Sequence, residues 1–224
     1  TGFPIAMVSA MLAVGLTLEE MPYYRGQSLK EYTPCGDYVV IKFARWAFDK
    51  FKDAEDKLGT QMKAVGEVMS IGKTYKEAFQ KAIRSLENGR GGLGFAKDFH
   101  EKSLDELLTM LAVPTSERQF LMYEAMRKGA TVDQLYQMTR IKKWFLEQMR
   151  ELVDEEETLL SADEITDNML ASAKKNGFSD KYLAKILGRT EESVRSQRMA
   201  AGVEERWEAV PVSGVETPSY YYFS

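Results

Sequence analysis

The chain has almost no cysteine or histidine with which to carry out thiol or imidazole chemistry. It has one cysteine, Cys35, and one histidine, His100, among 224 residues. A single thiol cannot form an internal disulfide and is typical of a reducing cytoplasm, and one imidazole is too few for a histidine-based zinc site. We therefore expect a cytoplasmic protein in which neither residue acts chemically, and we assign no metal site.

The most distinctive polar residue is Glu67, which lies in a segment with the alternation of a β-strand. Between residues 62 and 71, one face of the predicted strand carries Glu67 together with Val65, Met69 and Ile71. A carboxylate among apolar residues is exposed at a sheet edge, paired with a lysine or arginine, or placed there for a function. The pattern alone leaves these alternatives open.

A turn and a helix follow this strand. Thr74 and Glu77 fit a T-x-x-E capping box, and apolar residues recur at helical spacing as far as Glu87. Residues 37–44 are rich in β-branched and aromatic residues and predict a second strand, while residues 1–14 predict an opening helix. The first part of the chain is therefore predicted to be an α+β segment.

A glycine-rich stretch comes next, in which Gly89, Gly91 and Gly94 match the pattern G-x-G-x-x-G. A dinucleotide-binding loop follows a strand and opens a helix, so that the phosphate meets helix N–H groups. Here the glycines follow a helix, so we expect a flexible linker and place a domain boundary after residue 98.

Beyond this boundary the apolar residues keep a helical period up to Ala201, which predicts an all-α domain. A long helix is expected to carry the acidic run 154–157 on its outer face. The predicted N-caps are Ser103, Ser116, Thr131, Ser161, Ser179 and Thr190. Residues 203–224 change in character, because prolines and a glycine interrupt any helix before a strand is predicted at Tyr220–Phe223.

Residues 179–199 have the spacing of a helix-turn-helix and would present Arg195 and Arg198 to DNA. The would-be recognition helix begins with Glu191, however, and residues 99–224 carry 16 basic against 22 acidic residues. The basic surface that phosphate binding requires is missing, so we expect no nucleic-acid partner. A helix-turn-helix protein and a stand-alone helical adaptor are kept as alternative functions.

The overall composition is that of a soluble globular protein. It is 44% hydrophobic and 29% charged, with a formal net charge of −4. No apolar run approaches the roughly 18 residues of a membrane span, and the first residues lack the basic start of a signal peptide. We expect no membrane partner.

Three strings together carry a family resemblance: MKAVGEVMSIGKTYKEAFQKA at residues 62–82, TGFPIA at residues 1–6 and KKWFLEQMREL at residues 142–152. They resemble the large subunit of carbamoyl phosphate synthetase, nearly end to end and in order. We therefore expect the chain to be a piece of a longer protein.

The resemblance implies a division of the chain into three parts. Residues 1–98 are expected to be the C-terminal part of the first ATP-grasp domain, which makes carboxyphosphate and then carbamate. Residues 99–202 are expected to be the helical oligomerisation domain, and residues 203–224 the connector into the second synthetic half. Trp144 and Phe145, with Tyr123 and Tyr136, exceed what one core of short helices needs, which gives modest independent support to self-association.

The resemblance also implies a role for Met62 and Glu67, which match residues lining the internal tunnel that carries carbamate to the second ATP site. The two residues are five positions apart, so a regular strand would point them to opposite faces. Either Gly66 forms a β-bulge that resets the alternation, or the two side chains reach the tunnel at different depths.

In the family, the intact enzyme is an ATP-dependent carbon–nitrogen ligase that makes carbamoyl phosphate from bicarbonate and glutamine-derived ammonia, for arginine and pyrimidine biosynthesis. The resemblance implies ATP with Mg²⁺ or Mn²⁺ as cofactors, the small glutaminase subunit as a partner, and a homo-oligomer. The metal- and phosphate-binding residues are expected outside this chain. We therefore expect no catalytic, cofactor-binding or metal-binding residue here, and no activity from this chain alone.

Overall fold

The computed structural model describes residues 4–23, 26–33, 36–46, 48, 53–210 and 221–223, so Cys35 lies outside the described residues. The chain forms two compact units, one of residues 39–204 and one of residues 1–38 with 205–224. Elements are numbered along the chain. The second unit contains α1 (Ile5–Ala13) and an antiparallel pair of β3 (Trp207–Ala209) and β4 (Tyr221–Phe223). The predicted opening helix and the final strand are thus confirmed.

The unit of residues 39–204 begins with two antiparallel strands, β1 (Val39–Trp46) and β2 (Ala64–Gly72). Helix α2 (Tyr75–Ser85) follows, and it packs against both strands. The Thr74 hydroxyl accepts a hydrogen bond from the Glu77 N–H at 3.2 Å, which satisfies one of the free donors at the start of the helix. The predicted strand, turn and helix are confirmed.

The rest of this unit is helical. Its helices are α3 (Leu104–Leu111), α4 (Arg118–Arg127), α5 (Val132–Thr139), α6 (Lys143–Ser161), α7 (Asp167–Lys175), α8 (Asp180–Leu187) and α9 (Glu191–Ala200), with a 3₁₀ turn at Phe99–Glu101. Within the described ranges, none of the helices is both long and apolar enough to cross a membrane.

One hydrophobic core joins α2 to these helices. Phe79 and Ile83 of α2 belong to the same buried cluster as Leu107, Leu121 and Leu152. This core crosses residue 98. The limits 1–98, 99–202 and 203–224 stay a prediction about the domains of a longer protein.

Two of the predicted helix starts are wrong. Ser116 does not cap α4, because its N–H and hydroxyl both donate to the carboxylate of Asp56, at 2.8 and 2.6 Å. Ser161 ends α6 instead of opening the next helix, and Thr166 caps α7 by accepting from the Met169 N–H. The S-x-x-E/Q pattern occurred at both sites, but the actual start of each helix depends on which partner the serine meets in the folded chain.

The predicted flexible linker is also wrong. Leu93 and Ala96 are only 1% and 4% exposed, and Gly91 and Gly92 lie against the ring of Tyr182. A chain with glycines at these positions can approach an aromatic side chain closely, because no Cβ intervenes. The stretch is therefore part of the core, although it does follow a helix rather than a strand, as expected.

The assignment of Thr166, rather than Ser161, as the N-cap of α7 can be tested directly. We expect Thr166→Ala to lower the free energy of unfolding by about 1 kcal/mol, because it removes the hydroxyl that accepts from the helix N-terminus. Ser161→Ala is the matched control, since this exposed serine only donates within its own helix. Urea unfolding of both variants measures the difference, and a larger loss for Ser161→Ala would contradict the assignment.

Candidate functional site

The two faces of the β1–β2 pair differ sharply. Cross-strand neighbours Ile41 and Ser70 face α2, with Phe43 packed against the core. The opposite face is open and carries Glu67 among partly or largely exposed neighbours. These neighbours are Val40, Lys42, Ala44 and Met69. We call this surface the open face.

The β2 strand contains an irregularity of the kind that one of the two explanations of the odd spacing invoked. Arg45 pairs with Gly66, but the next residue, Trp46, pairs with Ala64. One residue of β2, Val65, is therefore left over opposite a single step of β1, which is a β-bulge. The strand pairing thus contains a bulge next to Gly66, and that it brings Met62 and Glu67 to one face stays a prediction, because Met62 precedes β2.

The structure places both predicted tunnel residues in contact with solvent. The Glu67 side chain is 56% exposed, and its Oε1 lies 2.8 Å from the Nζ of Lys42 on the neighbouring strand. Met62 precedes β2 and is 92% exposed. Of the structural alternatives for a carboxylate on this strand, Glu67 combines two, exposure and pairing to a lysine. The assignment of Met62 and Glu67 to a carbamate tunnel stays a prediction.

The helix-turn-helix geometry is present, but its arginines are not both available. Helices α8 and α9 meet at Gly188, which has the left-handed conformation. Arg198 is 5% exposed and donates to the Asp180 carboxylate and to the Val203 carbonyl. Arg195 remains on the surface, while α9 begins with the exposed Glu191. This arrangement uses Arg198 to hold the two helices together.

Sequence reasoning missed a second group of ionisable side chains, in the core of the helical part. We call Arg127, Glu124 and Glu156 the charge cluster. Arg127 donates from Nε to Glu124 at 3.0 Å, and from its terminal nitrogens to Glu156 and to the half-exposed Glu157. Both cluster carboxylates are fully buried.

Neighbouring groups complete the hydrogen bonding of these carboxylates. The hydroxyls of Tyr123 and Tyr182 donate to Glu156 at 2.5 and 2.9 Å, and the Phe95 N–H donates to Glu124 at 2.6 Å. The acidic run 154–157 was expected on the outer face of α6, which is wrong for Glu156. Its position four residues after Leu152 and three before Leu159, both buried, is the signal that could have located it.

Burial and charge set the protonation of the cluster. Burial raises the pKa of Tyr123 and of Tyr182 well above the usual value, and the neighbouring Glu156 raises both further. Burial by itself would lower the pKa of Arg127, but the carboxylates of Glu156 and Glu124 raise it above its usual value. The phenols and the guanidinium therefore keep their protons and act as donors at neutral pH.

A cleft of about 430 Å³ lies where the ends of α6 and α8 meet α9, away from the open face. Arg189 on its wall already donates to Ser193 and Gln197. Within the part of the chain that the structure describes, no group of three or more His, Cys, Asp or Glu side chains is arranged to hold a metal ion. We assign no ligand to the cleft.

Comparison with known proteins places these features in a family. Residues 67–202 match the model of the carbamoyl-phosphate synthetase large chain, oligomerisation domain. The chain is 42% identical to the carbamoyl phosphate synthase large chain of Archaeoglobus fulgidus, with 99% of the chain aligned, and 43% identical to the N-terminal section of the large chain of Aquifex aeolicus, with 100% aligned. It is also 43% identical to the arginine-specific large chain of Arabidopsis thaliana, over 99% of the chain.

The chain therefore belongs to the carbamoyl-phosphate synthetase large chain family, and most of its helical part corresponds to the oligomerisation domain. The resemblance seen in the sequence is confirmed. The chain spans 22%, 40% and 19% of the lengths of these three relatives, in the order given.

The two glutamates, Glu67 and Glu156, should respond very differently to loss of charge. We expect Glu67→Gln to change the free energy of unfolding by less than about 1 kcal/mol, because exposed ion pairs contribute little. Glu156→Gln should cost about 3–5 kcal/mol, since it removes a buried counter-charge of Arg127, whose side chain is only 9% exposed. Urea unfolding at pH 7 measures both, and equal losses would contradict this distinction.

Proposed function

We propose that the chain is the part of a carbamoyl phosphate synthetase large chain that links the end of the first ATP-grasp domain to the oligomerisation domain. The observation that carries this proposal is the alignment of essentially the whole chain with large chains from three distant organisms. In this assignment, residues 1–98 complete the ATP-grasp domain, residues 99–202 form the oligomerisation domain, and residues 203–224 lead into the second synthetic half.

The intact protein would then make carbamoyl phosphate from bicarbonate, ATP and glutamine-derived ammonia in the cytoplasm. Its cofactors would be ATP with Mg²⁺ or Mn²⁺, bound by parts outside this chain, and its partner would be a small glutaminase subunit. The product would serve arginine and pyrimidine biosynthesis, and the Arabidopsis relative is itself named as arginine-specific. The present chain would contribute scaffold and contacts rather than catalysis.

The alternative functions receive less support. A helix-turn-helix transcription factor would need an accessible basic recognition helix, and Arg198 is instead buried against Asp180. A stand-alone adaptor would not account for the β1–β2 strands and α2, which are aligned with the large chains together with the helices.

Within the proposed enzyme, Glu67 and Met62 would form part of the wall of the carbamate tunnel. The support is the chemistry of the open face: Glu67 is exposed and paired with Lys42, and apolar side chains such as Met69 flank it. A wall of this kind can border a wet passage without trapping the anionic carbamate, since like charge repels it from the carboxylate.

The tunnel assignment predicts an uncoupling phenotype in the intact large chain. Glu67→Gln should leave bicarbonate-dependent ATP turnover at the first site largely unchanged, while less carbamate reaches the second site intact. The yield of carbamoyl phosphate per ATP consumed should therefore fall, and a coupled assay of both quantities measures it.

Lys42→Gln is the matched control, because it breaks the same ion pair and keeps the carboxylate. An unchanged yield per ATP in Glu67→Gln, or a joint loss of both activities with a lower melting temperature, would return Glu67 to a structural role.

Self-association through the helical part is the second component of the proposal. Several large apolar side chains of this part are substantially exposed, among them Trp144 at 52%, Phe145 at 40% and Val113 at 46%. Tyr123, which the sequence counted among the aromatic residues in excess of one core, is fully buried beside the charge cluster and is not available. Exposed apolar residues of this size commonly mark contacts with other proteins.

We expect the chain to show a molar mass that rises with concentration in light scattering. A variant combining Met110→Gln and Trp144→Gln should associate more weakly, because both residues are exposed on the helical part. Trp207→Gln is the control, since Trp207 is 71% exposed but belongs to the other unit. A monomer at the highest attainable concentration would contradict self-association of this chain.

A further inference from the structure

The glycine-rich stretch, residues 88–97, connects α2 to the helical part, and we call it the strap. Two of its residues that are not glycine, Phe95 and Lys97, have backbone φ angles of 54° and 49°. This left-handed conformation is unfavourable for residues with a Cβ and persists where surrounding contacts impose it. The strap therefore holds a conformation that its own sequence does not favour.

The contacts that impose this conformation on Phe95 come from the charge cluster. The Phe95 N–H donates to the fully buried Glu124, and the Arg127 guanidinium lies 4.6 Å from the centre of the Phe95 ring. Gly94 passes so close to the cluster that an added Cβ would lie within 3 Å of Arg127 and Glu156. The backbone of Gly94 and Phe95 and the ring of Phe95 thus all contact the charge cluster.

Stability alone does not explain why charged residues occupy this place. Burying a guanidinium and two carboxylates carries a large desolvation cost, and apolar residues of similar volume commonly stabilise a core as well or better. Charged hydrogen bonds differ from apolar contacts in having fixed directions and lengths, so they can specify one position of the chain.

We propose that the charge cluster is a latch that fixes the strap, with Arg127 as its positioning residue. The strap follows shortly after α2, the helix on which the β1–β2 pair is packed, and the latch holds it at Gly94 and Phe95. Outside the latch, Arg90 of the strap forms an ion pair with Glu117 at the start of α4. The latch thereby fixes the path by which the chain passes from the strands into the helical part.

The first test uses the unaltered 224-residue chain and amide hydrogen exchange followed by NMR. A latched strap predicts that the Phe95 amide exchanges at least about a hundredfold more slowly than an unprotected amide, because its acceptor is buried. Exchange of the Phe95 amide at close to the unprotected rate would overturn the proposal without any substitution.

The second test asks whether the cluster positions the strap or only stabilises the fold. Arg127→Met should speed exchange of amides 91–97 by at least about tenfold more than it speeds exchange in α4 and α6. Arg150→Met is the matched control, because Arg150 also joins α6 to the end of α4, through the Met126 and Ala130 carbonyls, and contributes no bond to the strap.

Two outcomes of the second test would overturn the latch: a uniform increase in exchange across strap and helices in Arg127→Met, or a selective increase at the strap in Arg150→Met as well. If Arg127→Met does not fold, Arg127→Lys replaces it, because lysine keeps the charge but lacks the guanidinium fork that contacts Glu124 and Glu156 together. The same selective increase at amides 91–97 is then expected, and its absence counts against the latch.

Discussion

A carboxylate without water must find donors, and this requirement organises the helical part of the protein. Glu124 and Glu156 are fully buried, and groups of the protein donate the hydrogen bonds that satisfy them. The donors lie on separate segments: Arg127 and Tyr123 on α4, Tyr182 on α8, and the Phe95 backbone on the strap. None of these segments can move away without leaving a charge or a phenol unsatisfied in the core.

Helix α2 extends this constraint to the strands. Two strands alone are marginally stable in water, and here the packing of Phe43 against Phe79 of α2, with ring centres 5.9 Å apart, supports them. The other side of α2 is tied to the turn between α7 and α8, where Gln80 donates to the Asn176 carbonyl and Arg84 to the Gly177 carbonyl. The strand pair that carries Glu67 is thus joined to the helical part mainly through α2, and also through Asp56 of the β1–β2 connection, which accepts from Ser116.

Local signals in the sequence were sufficient to predict most elements, because they describe interactions within a few residues. Capping residues such as Thr74 and Ser103 do accept from the third residue of their helices. Ser116 carries an equivalent signal, but Asp56, sixty positions away, takes its hydroxyl. No local pattern could have revealed that competition.

The candidate site was predictable to a similar extent. Alternation placed Glu67 on the same face as Met69 and offered a bulge as one of two explanations for the odd spacing, whereas the exposure of Glu67 depends on what covers the strand pair. The strap and Glu156 were both wrongly predicted to be accessible. The glycine content of the strap predicted a flexible linker, and the acidic run that contains Glu156 predicted exposure to solvent. Both are buried because their partners, Tyr182 and Arg127, come from distant parts of the chain.

Gly94 also sets a limit on how this sequence can vary. A Cβ at this position would approach Tyr182, Arg127 and Glu156 to less than 3 Å, so even alanine would displace buried polar atoms. The glycine in β2, Gly66, has nothing within 4 Å of where its Cβ would be. Substitutions at position 94 should therefore be tolerated less often than at position 66, because any side chain there must displace the ends of three side chains that are hydrogen-bonded to one another.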